Sequence, residues 1–232
     1  MNFINKIFSF RVLIAFLVVL NCTPAHSQDA FDISQALNTA LPLSLAFQNE
    51  RGEPLNLAKP HTLTLVTLNY FRCKTACEVQ FATLHNLLPH LPPKNVNIVS
   101  ISFDPSDTPH DAQKVHQTWA QRDNPHHIPW HFYVGAQKEI SKLTSTLHFF
   151  YEKDKESGEY AHAAALFFVD SQSRVCRYLY GVTYTAADIR HALWDCSHEK
   201  QFKPSWKERL SFWFTRYDEK RGKYLPRFGG DS

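Results

Sequence analysis

The stretch from Leu68 to Gln80 constrains this chain most, because it places two cysteines where a strand gives way to a helix. An apolar run leads up to Tyr70, and an amphipathic pattern begins beside Cys77. Residues four apart lie on one face of a helix, so Cys73 and Cys77 are predicted to share a face of the first turn. The N–H groups at a helix start favour thiolate, and Lys74 adds a positive charge nearby. The pair is therefore predicted to be reactive, metal-binding, or both.

The spacing of the two cysteines leaves three interpretations open. Regular helical spacing holds their Cβ atoms about 5–6 Å apart, whereas a disulfide requires about 3.8 Å. A Cys73–Cys77 bond would thus need Cys73 on a turn outside the helix. Left open, the two sulfurs suit a soft metal ion such as Cu(I). Two unrelated thiols are the third interpretation, although a pair between a strand and a helix is typical of redox sites.

Composition sets the class of protein. The chain has 232 residues, of which 44% are hydrophobic and 14% aromatic, which excludes a disordered protein and allows one domain with a sizeable core. A formal charge of +3 is too small to suggest nucleic-acid binding. The sequence contains neither a glycine-rich phosphate loop nor a nucleophile-elbow motif.

Residues 1–27 have the pattern of a secretory signal. Lys6 and Arg11 supply a basic start, and nine apolar residues follow at Val12–Leu20. Nine residues are too few to span a bilayer, so cleavage before Gln28 is favoured over permanent membrane anchoring. The mature protein is predicted in the periplasm, with 23 basic and 22 acidic residues once Lys6 and Arg11 are removed.

The cysteine count is compatible with an oxidising compartment. Of the five cysteines, Cys22 leaves with the signal, and the asparagine before it is not the small residue that a lipoprotein site usually has. The remaining four, Cys73, Cys77, Cys176 and Cys196, permit two disulfides with three connectivities. Cys176 falls on the last predicted strand and Cys196 at the end of the closing helix. We predict either a structural Cys176–Cys196 disulfide or two inert buried thiols.

The order of predicted elements indicates an α/β protein: a thioredoxin-like fold with an added N-terminal β-hairpin and a surface hairpin insertion. The domain is predicted to span residues 28–199. Its predicted elements are a hairpin at 43–57, a strand at 61–70, a helix at 77–91, a strand at 96–103, a helix from Pro109 (capped by Thr108) to about 122, a strand at 130–134, a helix at 137–149, the inserted hairpin at 151–160, strands at 164–170 and 175–180, and a helix at 186–196.

Residues 200–232 form a basic, aromatic C-terminal extension. Ser205–Thr215 is predicted to be an amphipathic helix, and four apolar side chains share one of its sides: Trp206, Leu210, Trp213 and Phe214. This side is expected to pack against the domain; contact with a membrane surface is the alternative.

His162 is singled out among the thirteen histidines by its position. It stands just before the strand at 164–170, and in a thioredoxin-like fold the loop entering that strand faces the helix-start cysteines. A neutral imidazole there would complete a Cys–Cys–His set suited to copper, against the alternative of an ordinary loop histidine. His126, His127 and His131 are predicted to be surface residues.

Two acidic residues follow the predicted strand at 96–103. Asp104 and Asp107 stand where strand ends often reach a functional cleft. Turn formation and helix capping explain them equally well.

Taken together, these residues resemble the Sco/SenC family of copper proteins, which act in cytochrome oxidase assembly. The resemblance runs from about Leu43 to Cys196. It rests on four motifs in order: Cys73-Lys-Thr-Ala-Cys77, Ser102-Phe-Asp-Pro-Ser-Asp-Thr-Pro109, Tyr160-Ala-His162 through Phe167-Phe-Val-Asp170, and Leu179-Tyr-Gly181. Many members carry proline after each cysteine, where this chain has Lys74 and Glu78.

The resemblance implies a thioredoxin-like fold in which Cys73, Cys77 and His162 bind copper, as Cu(I) or Cu(II), while Asp104 supports the site from behind. It implies a periplasmic copper chaperone whose partner is the copper-site subunit of cytochrome c oxidase, with other copper chaperones or thiol reductants as further partners. The alternative is a thiol–disulfide oxidoreductase that keeps the target's copper-ligand cysteines reduced, with Cys73 and Cys77 as its catalytic redox pair. A peroxidase is a third, weaker alternative.

Overall fold

The structure is a computed structural model, and it describes residues 32–42, 44–57, 61–197 and 204–227. The signal predicted at 1–27 lies outside the described residues, as does the boundary between domain and extension near residue 200. The strands are β1 (Phe47–Asn49), β2 (Leu63–Asn69), β3 (Val96–Ser102), β4 (Trp130–Gly135), β5 (Tyr151–Lys153), β6 (Tyr160–His162), β7 (Ala165–Val169), β8 (Val175–Tyr180), β9 (Thr215–Asp218) and β10 (Lys223–Pro226). The α-helices are α1 (Ala76–Leu87), α2 (Pro109–Trp119), α3 (Gln137–Thr146), α4 (Ala186–Asp195) and α5 (Trp206–Trp213).

Six strands form the central sheet in the order β1-β4-β3-β2-β7-β8. The three strands β4, β3 and β2 run parallel, joined by helices α1 and α2, whereas β1, β7 and β8 run antiparallel to their neighbours. Every residue of β2 and of β3 is buried, as expected for parallel strands covered on both faces. This is the predicted thioredoxin-like fold, with the carboxyl ends of β2 and β3 side by side.

Local sequence signals set several helix boundaries. Thr108 caps α2 in a capping box with Asp111, and Pro109 is the first helical residue, as predicted. The predicted helices at 77–91, 109–122 and 137–149 are each longer than the α-helices observed. In the first case the final turn tightens into a short 3-10 helix at Leu88–His90, because Pro89 cannot continue α-helical hydrogen bonding.

Of the two predicted hairpins, the inserted one is formed by two paired strands, whereas the N-terminal one is formed only in part. The inserted hairpin consists of β5 and β6, which pair from Tyr151–His162 to Lys153–Tyr160. At the N-terminal hairpin, β1 pairs with β4, and the returning segment makes one isolated bridge, between Gln48 and Pro54.

The C-terminal extension packs against β8 and α4. The Tyr217 hydroxyl accepts from Tyr178 N–H and donates to Tyr178 C=O, and Gly222 C=O accepts from Tyr180 N–H. The ring of His191 in α4 lies between those of Phe212 and Tyr224, with centroids 4.2 and 3.9 Å away.

The prediction of which side of α5 packs against the domain is wrong: Phe212 is the buried residue of this helix. The four residues expected to be buried are instead exposed: Trp206 by 71%, Leu210 by 51%, Trp213 by 56% and Phe214 by 46%. Within the described residues, no helix combines the length and the apolar content needed to cross a bilayer.

Cys176 of β8 and Cys196 at the end of α4 are joined by a disulfide, with their Cα atoms 5.6 Å apart. The bond ties the last strand of the sheet to the helix that packs on it. The extension therefore begins just beyond a covalently fixed point.

Candidate functional site

The two remaining cysteines lie where the chain leaves β2. Cys73 sits on a turn, where its N–H donates to Tyr70 C=O at 3.2 Å, and α1 begins three residues later. Cys77 is the second residue of the helix. Both thiols are free and buried. Cys73 thus lies just outside the first helical turn in which it was expected, on the kind of turn that permits the two sulfurs to approach.

The two thiols hold their protons unequally. A hydrogen bond from the Cys77 side chain, with others from the Thr75 hydroxyl and from the N–H groups of both residues, lowers the pKa of Cys73 to about 4. Its bond to Cys73, together with burial, raises the pKa of Cys77. At neutral pH the pair therefore consists of a thiolate at Cys73 and a thiol at Cys77.

Hydrogen bonds, and not Lys74, are the main causes of the thiolate at Cys73. The lysine side chain is 84% exposed and pairs with Glu78, with Nζ 3.9 Å from Oε1. The predicted contribution of the helix start is present, since the N–H groups of Thr75 and Cys77 point at the sulfur.

A buried polar network underlies Cys77 and was missed by sequence analysis. Asn69 Nδ2 donates to Gln80 Oε1 at 2.8 Å, and Gln80 Nε2 donates to Tyr184 OH at 2.7 Å. The Asn69 side chain also bonds to Cys77. The signal in the sequence is a polar residue next to apolar ones in each element: Asn69 ends the apolar run of β2, and Gln80 lies between Val79 and Phe81 in α1. The network fixes the start of α1 against the end of β2.

Asp104 and Asp107 hold the turn that leads into Cys73. Asp104 Oδ2 accepts from Arg72 Nη2 at 2.8 Å, and Asp107 Oδ2 accepts from Phe71 N–H at 2.7 Å. Asp104 Oδ1 also accepts from Ser106 N–H, in the Asx-turn pattern that was its alternative explanation. The two carboxylates therefore act on the site through residues 71 and 72, which sequence analysis did not single out.

His162 lies at the end of β6 and lines, with Cys73, a cavity of about 640 Å³. Its Nδ1 is 2.8 Å from Ala163 C=O. A carbonyl oxygen can only accept, so Nδ1 carries a proton, and in the neutral imidazole Nε2 then has the lone pair. Metal-binding imidazoles are commonly held in this way by their second nitrogen.

The three sequence-predicted ligands are near one another but not assembled. The ligand atoms of Cys73, Cys77 and His162 do not all lie within 4.8 Å of one another. The imidazole packs instead against the ring of Phe103, with centroids 4.9 Å apart.

Tyr70 connects the inserted hairpin to the thiols. Its hydroxyl bonds to Glu159, at the base of β6, and to Cys73. Burial and these two partners raise the pKa of Tyr70, so the hydroxyl keeps its proton at neutral pH. The hairpin that carries His162 is thereby coupled to the turn that carries Cys73.

A family model described as SCO1/SenC matches residues 38–195. No curated protein sequence matches this chain.

Several solved structures share the fold. BsSco, described as a member of the Sco family of cytochrome c oxidase assembly proteins with a disulfide switch, is 25% identical, with a TM-score of 0.58 over 71% of this chain and 96% of its own. A SCO1/SenC family lipoprotein from Bacillus anthracis is 22% identical, with a TM-score of 0.53 over 64% of this chain and 89% of its own. ScoI from Bradyrhizobium japonicum, solved with copper bound, is 21% identical, with a TM-score of 0.51 over 61% of this chain and 90% of its own.

Proposed function

The chain belongs to the SCO1/SenC family, whose model covers most of it, and on this basis we propose that it binds copper and passes it to a copper centre of cytochrome c oxidase. The ligands are Cys73, Cys77 and His162. The observation that carries the proposal is a pair of free, adjacent thiols, of which Cys73, with its lowered pKa, lines the same cavity as an imidazole whose Nε2 can accept a metal.

This donor set fits copper. Thiolates select soft ions such as Cu(I), and imidazole binds both copper oxidation states. Copper displaces the remaining proton of Cys77, since only the thiolate is a ligand. Closing the site requires His162 or Cys73 to shift. Both lie outside the central sheet, on a two-stranded hairpin and on a turn.

Copper stoichiometry of the reduced mature protein tests the proposal. We expect one Cu(I) per chain, binding lost in Cys73→Ser and in Cys77→Ser, and binding weakened at least tenfold in His162→Ala. His110→Ala, an exposed histidine on α2, is the matched control and should bind like the parent. Full binding by Cys73→Ser or His162→Ala would exclude this ligand set.

The unequal protonation of the thiols favours a second candidate, a thiol–disulfide oxidoreductase. The Cys73 thiolate attacks a target disulfide, forms a mixed disulfide and releases one target thiol. Cys77, losing its proton, then attacks Cys73 Sγ, which leaves the target dithiol reduced and a Cys73–Cys77 disulfide on this chain. An external thiol reductant must restore the pair. A reduced Cys73–Cys77 pair that leaves the disulfide of a target peptide intact excludes this candidate, whatever the copper affinity.

We further propose that the protein is periplasmic and that its extension rests on an anionic bilayer. Trp206, Leu210 and Trp213 form an exposed apolar surface on α5. Charge is divided unevenly along the chain: residues 200–232 contain nine Lys and Arg against four Asp and Glu, whereas residues 28–199 contain 14 against 18. Exposed tryptophans with surrounding basic residues suit the headgroup region of an anionic membrane.

Vesicle co-sedimentation tests the membrane proposal. The mature protein should bind vesicles containing phosphatidylglycerol, bind phosphatidylcholine vesicles poorly, and lose binding as salt is raised. Trp206→Ser with Leu210→Ser should abolish binding. Phe150→Ser is the control, because Phe150 is similarly exposed, at 53%, but lies in the domain. Equal binding to neutral vesicles, or by the double variant, contradicts the proposal.

A further inference from the structure

A second cluster of metal-binding side chains lies outside the thiol site. Glu50 follows β1, His116 is on α2 and His131 is on β4, and one ligand atom from each lies within 4.8 Å of the others. His131 was expected on the surface, but its side chain is only 18% exposed. We propose that these three residues bind a divalent transition-metal ion of the class that prefers imidazole and carboxylate, with Zn²⁺ as its representative.

The distances are close to those that zinc requires. His131 Nδ1 is 2.8 Å from Glu50 Oε1, and His116 Nε2 is 3.6 Å from the same oxygen. Ligands at about 2.0–2.2 Å in tetrahedral geometry stand roughly 3.3–3.6 Å apart. The His116–Glu50 spacing already fits, and the His131–Glu50 distance must lengthen by roughly 0.5–0.8 Å. Two histidines and one glutamate leave a fourth position for water, an arrangement found in open zinc sites.

The ligands are held in place by their neighbours. Glu50 Oε2 accepts from Phe132 N–H at 3.1 Å, which leaves Oε1 directed at the two histidines. The imidazole rings of His116 and His131 lie nearly parallel, 5° apart. The amide of Gln121 is 3.5 Å from His116 Nδ1, and with its oxygen turned inward it would accept from Nδ1–H, as the second nitrogen of a metal-bound imidazole requires.

The charge of the cluster also suits a cation. The Glu50 side chain is only 3% exposed, and an ionised carboxylate so well covered needs a positive partner. The Arg51 guanidinium, whose Nε is 3.6 Å from Oε1, has a side chain that is 59% exposed, so it offsets this charge only weakly and the carboxylate still favours a metal cation. In the alternative interpretation, Glu50, His116 and His131 interact only with one another and have a purely structural role. This interpretation predicts that the protein binds no metal here.

The test uses a Cys73→Ser/Cys77→Ser protein, so that its outcome is independent of the proposed copper site. Titrated with Zn²⁺ in a calorimeter, this protein should take up one equivalent, and its melting temperature should rise with the metal. His116→Gln and Glu50→Gln, made in the same background, should weaken zinc binding at least tenfold, while His110→Ala should not change it.

Melting temperatures in chelator establish that each variant is folded. His116→Gln and Glu50→Gln keep side chains of similar size, so at least one is expected to remain folded without metal. The proposal is overturned if the Cys73→Ser/Cys77→Ser parent binds no zinc. It is equally overturned if a folded His116→Gln or Glu50→Gln variant binds zinc as tightly as that parent.

Discussion

Arg72 and Asp104 join the turn before Cys73 to the loop after β3 through a contact of 2.8 Å between Nη2 and Oδ2. The carboxylate is buried, whereas the arginine side chain is 55% exposed. The pair therefore works mainly by fixing the backbone from which Cys73 projects, and less by its own ionic attraction.

Removing Arg72 should weaken copper binding without removing a ligand. We expect Arg72→Ala to lower Cu(I) affinity about tenfold, because the Cys73 turn loses the Arg72 side-chain contacts with Asp104 and Asp107 and keeps only the bond from Phe71 N–H to Asp107. A competition titration against a Cu(I) chelator measures this loss. Lys74→Ala, on the other side of Cys73, should have no effect, and similar losses in the two variants would contradict the account.

The thiol pair should release its first proton in acid. The pKa of Cys73, lowered to about 4, means that the thiolate is present above that pH and is protonated only below it. Ultraviolet thiolate absorbance of the reduced protein should therefore stay constant across neutral pH. Cys77→Ala removes the strongest hydrogen bond to the sulfur, so the pKa of Cys73 should rise. A parent whose absorbance appears only near the ordinary cysteine pKa, about 8.5, would refute this.

The Cys176–Cys196 disulfide should contribute to stability and not to copper binding. It closes a loop across a sequence separation of 20 residues. Loop-closure entropy predicts that Cys176→Ala/Cys196→Ala lowers the free energy of unfolding by about 3 kcal/mol. Urea denaturation measures the loss. Copper stoichiometry is the control, and a change in it would mean that this pair is linked to the metal site.

Docking of the extension should weaken in acid through His191. Burial between two aromatic rings lowers its pKa, so the folded state holds the imidazole neutral while the unfolded state binds a proton below about 6.5. Stability from this group is complete above that pH and is lost as the pH falls through the folded pKa. Urea denaturation from neutral to mildly acidic pH should show a smaller loss for His191→Gln than for the parent; equal losses would exclude His191 as the cause.

The sequence predicted features that are determined locally. The apolar runs at 63–69 and 96–102 give buried parallel strands because both faces must be covered. Thr108 and Pro109 define the start of α2 because capping depends on neighbours within one turn.

Features that depend on partners distant in the chain could not be predicted in this way. The Arg72–Asp104 pair spans 32 residues. The spacing of apolar residues in α5 identifies an apolar side of the helix, but it does not show which residues of the domain the helix packs against. Phe212 is the residue that packs inward, because the ring of His191 in α4 provides a stacking position for it. The sequence does not predict the hairpin of β9 and β10, whose strands pair on either side of Gly222.

The contacts of the extension with β8 also have a consequence for solubility. β8 is the last strand of the sheet, and its outer row of N–H and C=O groups would otherwise be a template for a strand from another molecule. The Tyr217 hydroxyl forms hydrogen bonds with both the N–H and the C=O of Tyr178, and the C=O of Gly222 accepts from the N–H of Tyr180. A protein shortened before the extension would present an open edge there, and its copies would be prone to join edge to edge into aggregates.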